Sequence, residues 1–570
     1  MKNANRLRLK LSFIISLFLI IFMIVSFHIF YDIKESTSKP SEGWGRDITV
    51  KNEVPYKKSP AVKMSENTSD ILIANENGFE RISIDRKTGK HSIVPLMIKG
   101  IEINKLASFQ WADDFIAWSE NFDLFFSSLG ENGSYSEKKL VLNDVYDFQI
   151  IKNLDSYLIA AASKTGVKLL KYSDGAFSSY GEEFPFENAK GVSAVSDDSG
   201  VVYLAAYKDM NGVLFPLKYL KYKDESWEAL SHDIKNNNDA SWSVQDIEIG
   251  IDDNDVYIFY TMKSWGKSKT YYCTAPINST VNELNFSRLY LSENEHELQD
   301  TNSNEIVSCY APAEGQIQDR TGLSSEYNSN LYCIKQAGEK LKVITVSNTE
   351  NIKKQERFTI YTLTLENGIV ERKEKAVNNK PWVSLFGVSS LDDDLSIAFL
   401  TSAGIAKSDV SYTENGSEFV EMVSKSRLSD LVASCMNLFP KYLLGLFLGL
   451  LKSVMFFPAL FWILAVEYFN IKKFGKNPNM VFYISIAVYL IIKLLTMNVY
   501  YSTDAMLVMP SILKFSNSPY FFGTGTLLIS FILFRLLKKI NVNIGIIIAF
   551  LSFALIDISL TSLLYAPYML

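Results

Sequence analysis

Three ionisable residues sit where charge is costly. Lys452, Lys493 and Asp557 each lie inside a long apolar run of the C-terminal region. An unpaired charge at such depth costs roughly 2.5 to 3.5 kcal/mol on membrane-insertion scales, so residues of this kind pair. Counted from the outer ends of their helices, all three fall at similar depth. Asp557 is therefore expected to pair with one or both lysines and to fix helix packing. The alternative is that each lysine snorkels alone to the outer interface.

Elsewhere the residue types that do chemistry are scattered. The four histidines, His28, His91, His232 and His296, assemble no metal site by spacing. No Gly-x-Ser-x-Gly elbow offers a serine nucleophile. Cys273, Cys309, Cys333 and Cys435 match no metal spacing and are too sparse for a disulfide scaffold, although Cys309 and Cys333 are candidates for one bridge. Acid clusters at Asp113 and Asp114, Asp197 and Asp198, Asp252, Asp253 and Asp255, and Asp392 to Asp394 have calcium-ligand chemistry. They recur, however, just ahead of equivalent apolar segments, where Asp caps its own turn. The turn reading is preferred, and neither a metal nor a cofactor is expected.

The elements that carry these residues follow from hydropathy and charge. Residues 11–31 form an uncharged run of about 21, long enough to cross a hydrocarbon core of roughly 30 Å, with no small-x-small cleavage site after it. This reads as an uncleaved signal anchor behind a cytoplasmic segment, residues 1–10. Residues 32–66 read as a stalk, 67–424 as an extracytoplasmic domain, and 425–440 as an interfacial amphipathic helix broken by Pro440. Residues 441–570 read as four transmembrane helices at about 442–466, 479–500, 520–537 and 541–566. The charges split sharply. The two ends carry +4 and +7, so a chain of net charge −6 leaves −17 on the middle segment, which argues against nucleic-acid binding. Lys472, Lys473 and Lys476 lie in one connection and Arg535, Lys538 and Lys539 in another. The positive-inside rule places both in the cytoplasm, with five spans and with the large domain and the C-terminus outside.

That large domain repeats. A polar turn followed by a short apolar strand recurs seven times, as ILIAN near 70, FIAWS near 114, YLIAAA near 156, VVYLAAY near 199, VYIFYT near 254, LKVITVS near 339 and LSIAFLT near 393. A second turn follows each at a fixed lag, so each unit reads as a small antiparallel meander. Seven such units predict an all-β propeller of about seven blades, with residues 285–330 as an insertion or a degenerate eighth blade. Ser196, Asp198, Gly200 and Tyr203 fit a pattern that resembles the Asp box of sialidase-type propellers, a structural turn; the arginine cluster of those enzymes is not identifiable here. Seven of the eight tryptophans, Trp242, Trp265 and Trp382 among them, fall between residues 32 and 424, as inter-blade packing or as a binding face.

These observations predict a non-enzymatic recognition or scaffold protein of a bacterial plasma membrane, binding a protein, peptide or envelope glycan. Its expected partners are the lipid bilayer and an envelope protein. The alternatives are a sensor or accessory subunit of a transport complex, docking through Lys452, Lys493 and Asp557, and an envelope hydrolase.

Overall fold

A computed structural model describes the chain apart from residues 1, 38, 56–57, 77, 131–133, 211–213, 236–242, 265–266, 278–283, 290–327, 336–339, 353–354, 367, 381–382, 403–406, 426–427, 452–456, 470–477, 497–508, 514, 516, 541–544 and 569–570. Contacts divide it into two units, Lys39–Lys425 and the pair of segments Met1–Ser38 and Ser426–Leu570.

The first unit is a seven-bladed β-propeller. After β1 (Ile48–Val54) the chain lays down blade 1 as β2 to β5 (Ala61–Met64, Thr68–Asn75, Gly78–Asp85, His91–Leu96). Blade 2 is β6 to β9 (Leu106–Trp111, Phe115–Glu120, Asp123–Ser128, Lys139–Leu142). Blade 3 is β10 to β13 (Val145–Asn153, Ser156–Ser163, Gly166–Ser173, Ala176–Ser179), with the short β14 (Phe184–Pro185) also paired to β12. Blade 4 is β15 to β18 (Gly191–Ser196, Val202–Tyr207, Leu214–Lys223, Ser226–Lys235), and blade 5 is β19 to β22 (Ser243–Ile251, Asp255–Ser264, Lys267–Pro276, Ser287–Leu289). Blade 6 is β23 to β26 (Asn328–Lys335, Leu341–Ile352, Gln355–Glu366, Ile369–Lys380). Blade 7 draws β27 to β29 (Val383–Leu391, Asp394–Ser402, Ser408–Glu414) from its own stretch and takes β1 as its outermost strand, with Ile48 opposite Tyr412.

The seven repeated apolar segments are the second strands of the seven blades. Each is covered on both faces by neighbouring blades, which is why Phe115–Glu120 and Val202–Tyr207 are buried at every residue and read as unbroken apolar runs. The first strands meet their counterparts in adjacent blades and so line the axis. Among the described residues there is no eighth sheet. Most of the expected insertion, residues 290–327, lies outside them, as do Trp242, Trp265, Trp382 and Cys309.

One boundary differs from the sequence reading. The expected stalk contains β1 and β2 and the buried Trp44. Only Val50 and Val54 of β1 are buried, while Thr49, Asn52 and Glu53 are exposed, so an edge strand with few apolar residues resembles a polar linker. At the other end α2 (Ser417–Ser424) buries Phe419 and Val423 against the closing blades.

The second unit is helical: α1 (Lys2–Ser36), α3 (Leu428–Leu451), α4 (Phe457–Tyr468), α5 (Pro478–Thr496), α6 (Ser518–Ile540) and α7 (Ile546–Tyr565). Helix α3 runs through Pro440 instead of ending there. In an apolar setting a helix keeps its remaining internal hydrogen bonds around a proline because breaking them leaves more backbone groups unpaired. Among the described residues, four helices are long and apolar enough to cross a membrane, within Lys10–Lys34, Asn479–Thr496, Ser518–Ile540 and Ile546–Tyr565. The expected fifth span at 442–466 includes residues 452–456, which lie outside the described residues; the end of α3 and the start of α4 flank them.

Candidate functional site

Helix α7 is the hub of the helical unit, packed against α1, α3, α4, α5 and α6 and buried along most of its length. At its middle lies Asp557, fully buried, in an ion pair with the 3 %-exposed Lys493 of α5 at 2.8 Å. Lys493 Nζ donates to both Asp557 oxygens at 2.8 Å, to Thr526 Oγ1 at 2.8 Å and to Thr561 Oγ1 at 3.0 Å. Asp557 Oδ2 also accepts the Tyr489 hydroxyl at 2.7 Å, and Oδ1 accepts Ser530 at 3.4 Å. Each of three helices supplies a polar pair at i, i+4 spacing, which sets both members on one helical face: Tyr489 and Lys493, Thr526 and Ser530, Asp557 and Thr561.

Lys493 and Asp557 are thus brought together, and Lys493 does not snorkel. Lys452 lies outside the described residues. Tyr489, Thr526, Ser530 and Thr561 escaped the sequence reading; Tyr489 and Thr561 lie one helical turn from Lys493 and Asp557, whereas Thr526 and Ser530 come from a third helix. Every proton of the ammonium has an acceptor, so the cluster locks α5, α6 and α7.

The propeller has its own buried charge cluster, at the junction of blades 7 and 1. Arg86, in the last turn of blade 1, donates through Nε to Glu414 Oε1 at 2.7 Å, through Nη2 to Glu414 and Asp394, and through Nη1 to the carbonyls of Ser65 and Glu66 at 3.2 Å. Tyr412 donates to Glu414 Oε2 at 2.6 Å and lies 2.7 Å from Ser69 Oγ. Burial pushes the Glu414 carboxyl above the usual range, against the pull of Arg86 and Tyr412.

Along the axis, polar side chains of the first strands bond the backbone of the next blade. Gln110 donates to the Phe148 carbonyl at 2.9 Å and accepts the Ile150 N–H at 2.7 Å. Asp147 accepts the Val192 N–H at 3.0 Å, Gln149 accepts that of Ala194 at 2.6 Å, and Ser193 accepts that of Ile249 at 3.0 Å while donating to Glu248 at 2.8 Å. Burial pushes the Asp147 carboxyl up to about 7, with Asp246 adding to the rise and the N–H groups of Val192 and Phe148 opposing it. Glu248 is raised further, first by burial and then by Asp246. A carboxyl that ionises near neutrality can act as acid or base. The sequence reading missed this group because a strand's period of two does not separate an axis-facing acid from a solvent-facing one.

Two of the recurring turn aspartates, Asp197 and Asp252, cap their own turns. Asp252 accepts the N–H groups of Asn254 and Asp255 at 2.8 and 2.7 Å and the Tyr257 hydroxyl at 2.6 Å. In the turn that resembles an Asp box the capping carboxylate is Asp197, one residue before the acid that the pattern selects. It accepts the N–H groups of Ser199 and Val201, both at 2.9 Å, and the Tyr203 hydroxyl at 3.2 Å, while Gly200 takes φ +86°. Asp113 accepts the Tyr157 hydroxyl from the next blade.

No protein family and no curated protein matches this chain. Among solved structures it is similar to the polysaccharide lyase Uly1, at 13 % identity and TM-score 0.39 over 63 % of this chain and 90 % of that one. A subtype N11 neuraminidase-like protein of A/flat-faced bat/Peru (H18N11) aligns at 11 % and 0.32 over 65 % and 96 %, and Trypanosoma rangeli sialidase at 10 % and 0.32 over 67 % and 57 %. The likeness concerns the propeller alone, and no residue role is carried over from it.

Proposed function

We propose that this chain is a membrane-anchored recognition or scaffold protein whose acidic propeller, displayed outside a bacterial plasma membrane, binds a protein, peptide or envelope glycan without converting it. The supporting observation is that the polar side chains nearest the axis bond the backbone of the adjacent blade. They hold the ring rigid and leave its loops to make contacts. Chemical crosslinking in native membranes should yield a stoichiometric partner attached to the propeller; recovery of none would remove this reading. The orientation predicts that protease added to intact cells cuts between Asp32 and Lys441.

A second reading, an envelope glycan hydrolase or lyase, draws support from the raised carboxyls of Asp147 and Glu248. It requires turnover of an envelope polysaccharide that disappears in both Asp147→Asn and Glu248→Gln. Turnover that persists in both variants rules it out.

A further inference from the structure

On the propeller rim, the two-residue turn joining β7 to β8 places Asn121 at φ +54° and Phe122 at φ +68°, with Glu120 opposite Asp123. Such a turn needs left-handed backbone at both positions, and its usual second residue is glycine. Phenylalanine there is strained by about 1 kcal/mol. Its ring is 62 % exposed, so little burial offsets the strain. A residue unfavourable to the fold on both counts points to an external contact.

The surroundings define the chemistry of that contact. Tyr146, at the start of blade 3, meets Phe122 edge to face with centroids 5.7 Å apart. Lys190, leading into blade 4, holds its ammonium 3.8 Å from the centre of the Tyr146 ring. The Lys190 N–H donates to the Tyr207 carbonyl, which brings in Lys208, itself over the Phe186 ring. Neither lysine forms a salt bridge with a described residue, in a domain that is acidic overall. Two rings and two available ammoniums thus run across blades 2 to 4.

We propose that the Phe122–Tyr146–Lys190 strip binds a carboxylate-bearing saccharide. Phe122 offers its face to the apolar side of a sugar ring, and Lys190 offers its ammonium to the carboxylate. The exposed Asp144, beside this turn, accepts hydrogen bonds from sugar hydroxyls and repels a continuous acidic run, which favours an acidic sugar over an acidic peptide. This assignment rests on the recognition reading and narrows its ligand.

The test titrates the full-length protein in nanodiscs with an oligogalacturonate, using a neutral oligosaccharide of equal length and an oligoglutamate as controls. Binding to oligogalacturonate alone, weakened about tenfold or more by Phe122→Gly and by Lys190→Gln, is expected. Glycine suits this turn, so loss of binding in that variant with an unchanged or higher melting temperature is not unfolding. Equal binding of oligoglutamate, unchanged affinity in both variants, or no binding by the parent protein overturns the assignment. If crosslinking still recovers a partner in those cases, the strip fails while the recognition reading stands.

Discussion

The helical unit and the propeller each bury an ion pair, and they satisfy it in different ways. Lys493 and Asp557 neutralise each other, and side-chain hydroxyls from three helices satisfy their remaining hydrogen bonds. Arg86 and Glu414 use a tyrosine hydroxyl together with the turn carbonyls of Ser65 and Glu66. The difference follows from secondary structure. A helix consumes its backbone donors and acceptors internally, so a charge among helices must recruit Ser, Thr and Tyr. Turns between strands leave carbonyls free, so a charge at a blade junction can use the backbone itself.

The largest expected effect breaks the first cluster. Lys493→Met leaves Asp557 as an unpaired buried charge and should cost about 3 to 5 kcal/mol, measured as thermal stability in detergent. Lys493→Met with Asp557→Leu should restore most of it; a double variant no better than the single one means the two charges do not neutralise each other. Arg86→Met should cost less, about 2 to 3 kcal/mol, because its partner Asp394 is 39 % exposed and Glu414 keeps Tyr412. Equal losses in Lys493→Met and Arg86→Met would erase the contrast between hydroxyl and backbone neutralisation.

A smaller effect concerns the axial carboxyl. Asp147 ionises near 7 when folded against 3.8 for the free group, so between these values the folded state holds more protons than the unfolded one. Propeller stability should therefore fall by up to about 3 kcal/mol as pH rises from 4 to 7 and then level off. Asp147→Asn should flatten that part of the profile in chemical denaturation; an unchanged slope assigns the titration elsewhere. Smallest of all, Phe122→Gly should stabilise the propeller by about 0.5 to 1 kcal/mol by relieving the left-handed backbone. A loss of stability in calorimetry would mean that the Phe122 ring supports the fold.

Legibility in the sequence tracked how distinctive each environment is. The seven second strands stood out because both of their faces are covered. Strand β1 did not, since half of an edge strand faces water. Lys493 and Asp557 were conspicuous as charges within apolar runs, whereas Thr526, Ser530 and Thr561 are unremarkable residue types whose role emerges only when three helices converge. The Asp box pattern selected Asp198 where Asp197 does the capping, because a one-residue offset is invisible without the path of the turn.

The placement of β1 has a consequence for biogenesis. This strand is synthesised before any blade, yet its partner β29 is complete only at Glu414. Ile48–Val54 must stay unpaired while about 350 residues follow, a contact of very long sequence separation and hence slow to form. A chain interrupted before residue 408 would present blade 7 with an open hydrogen-bonding edge, the kind of surface that recruits other chains. The ring thus closes only once the chain has been made through Glu414.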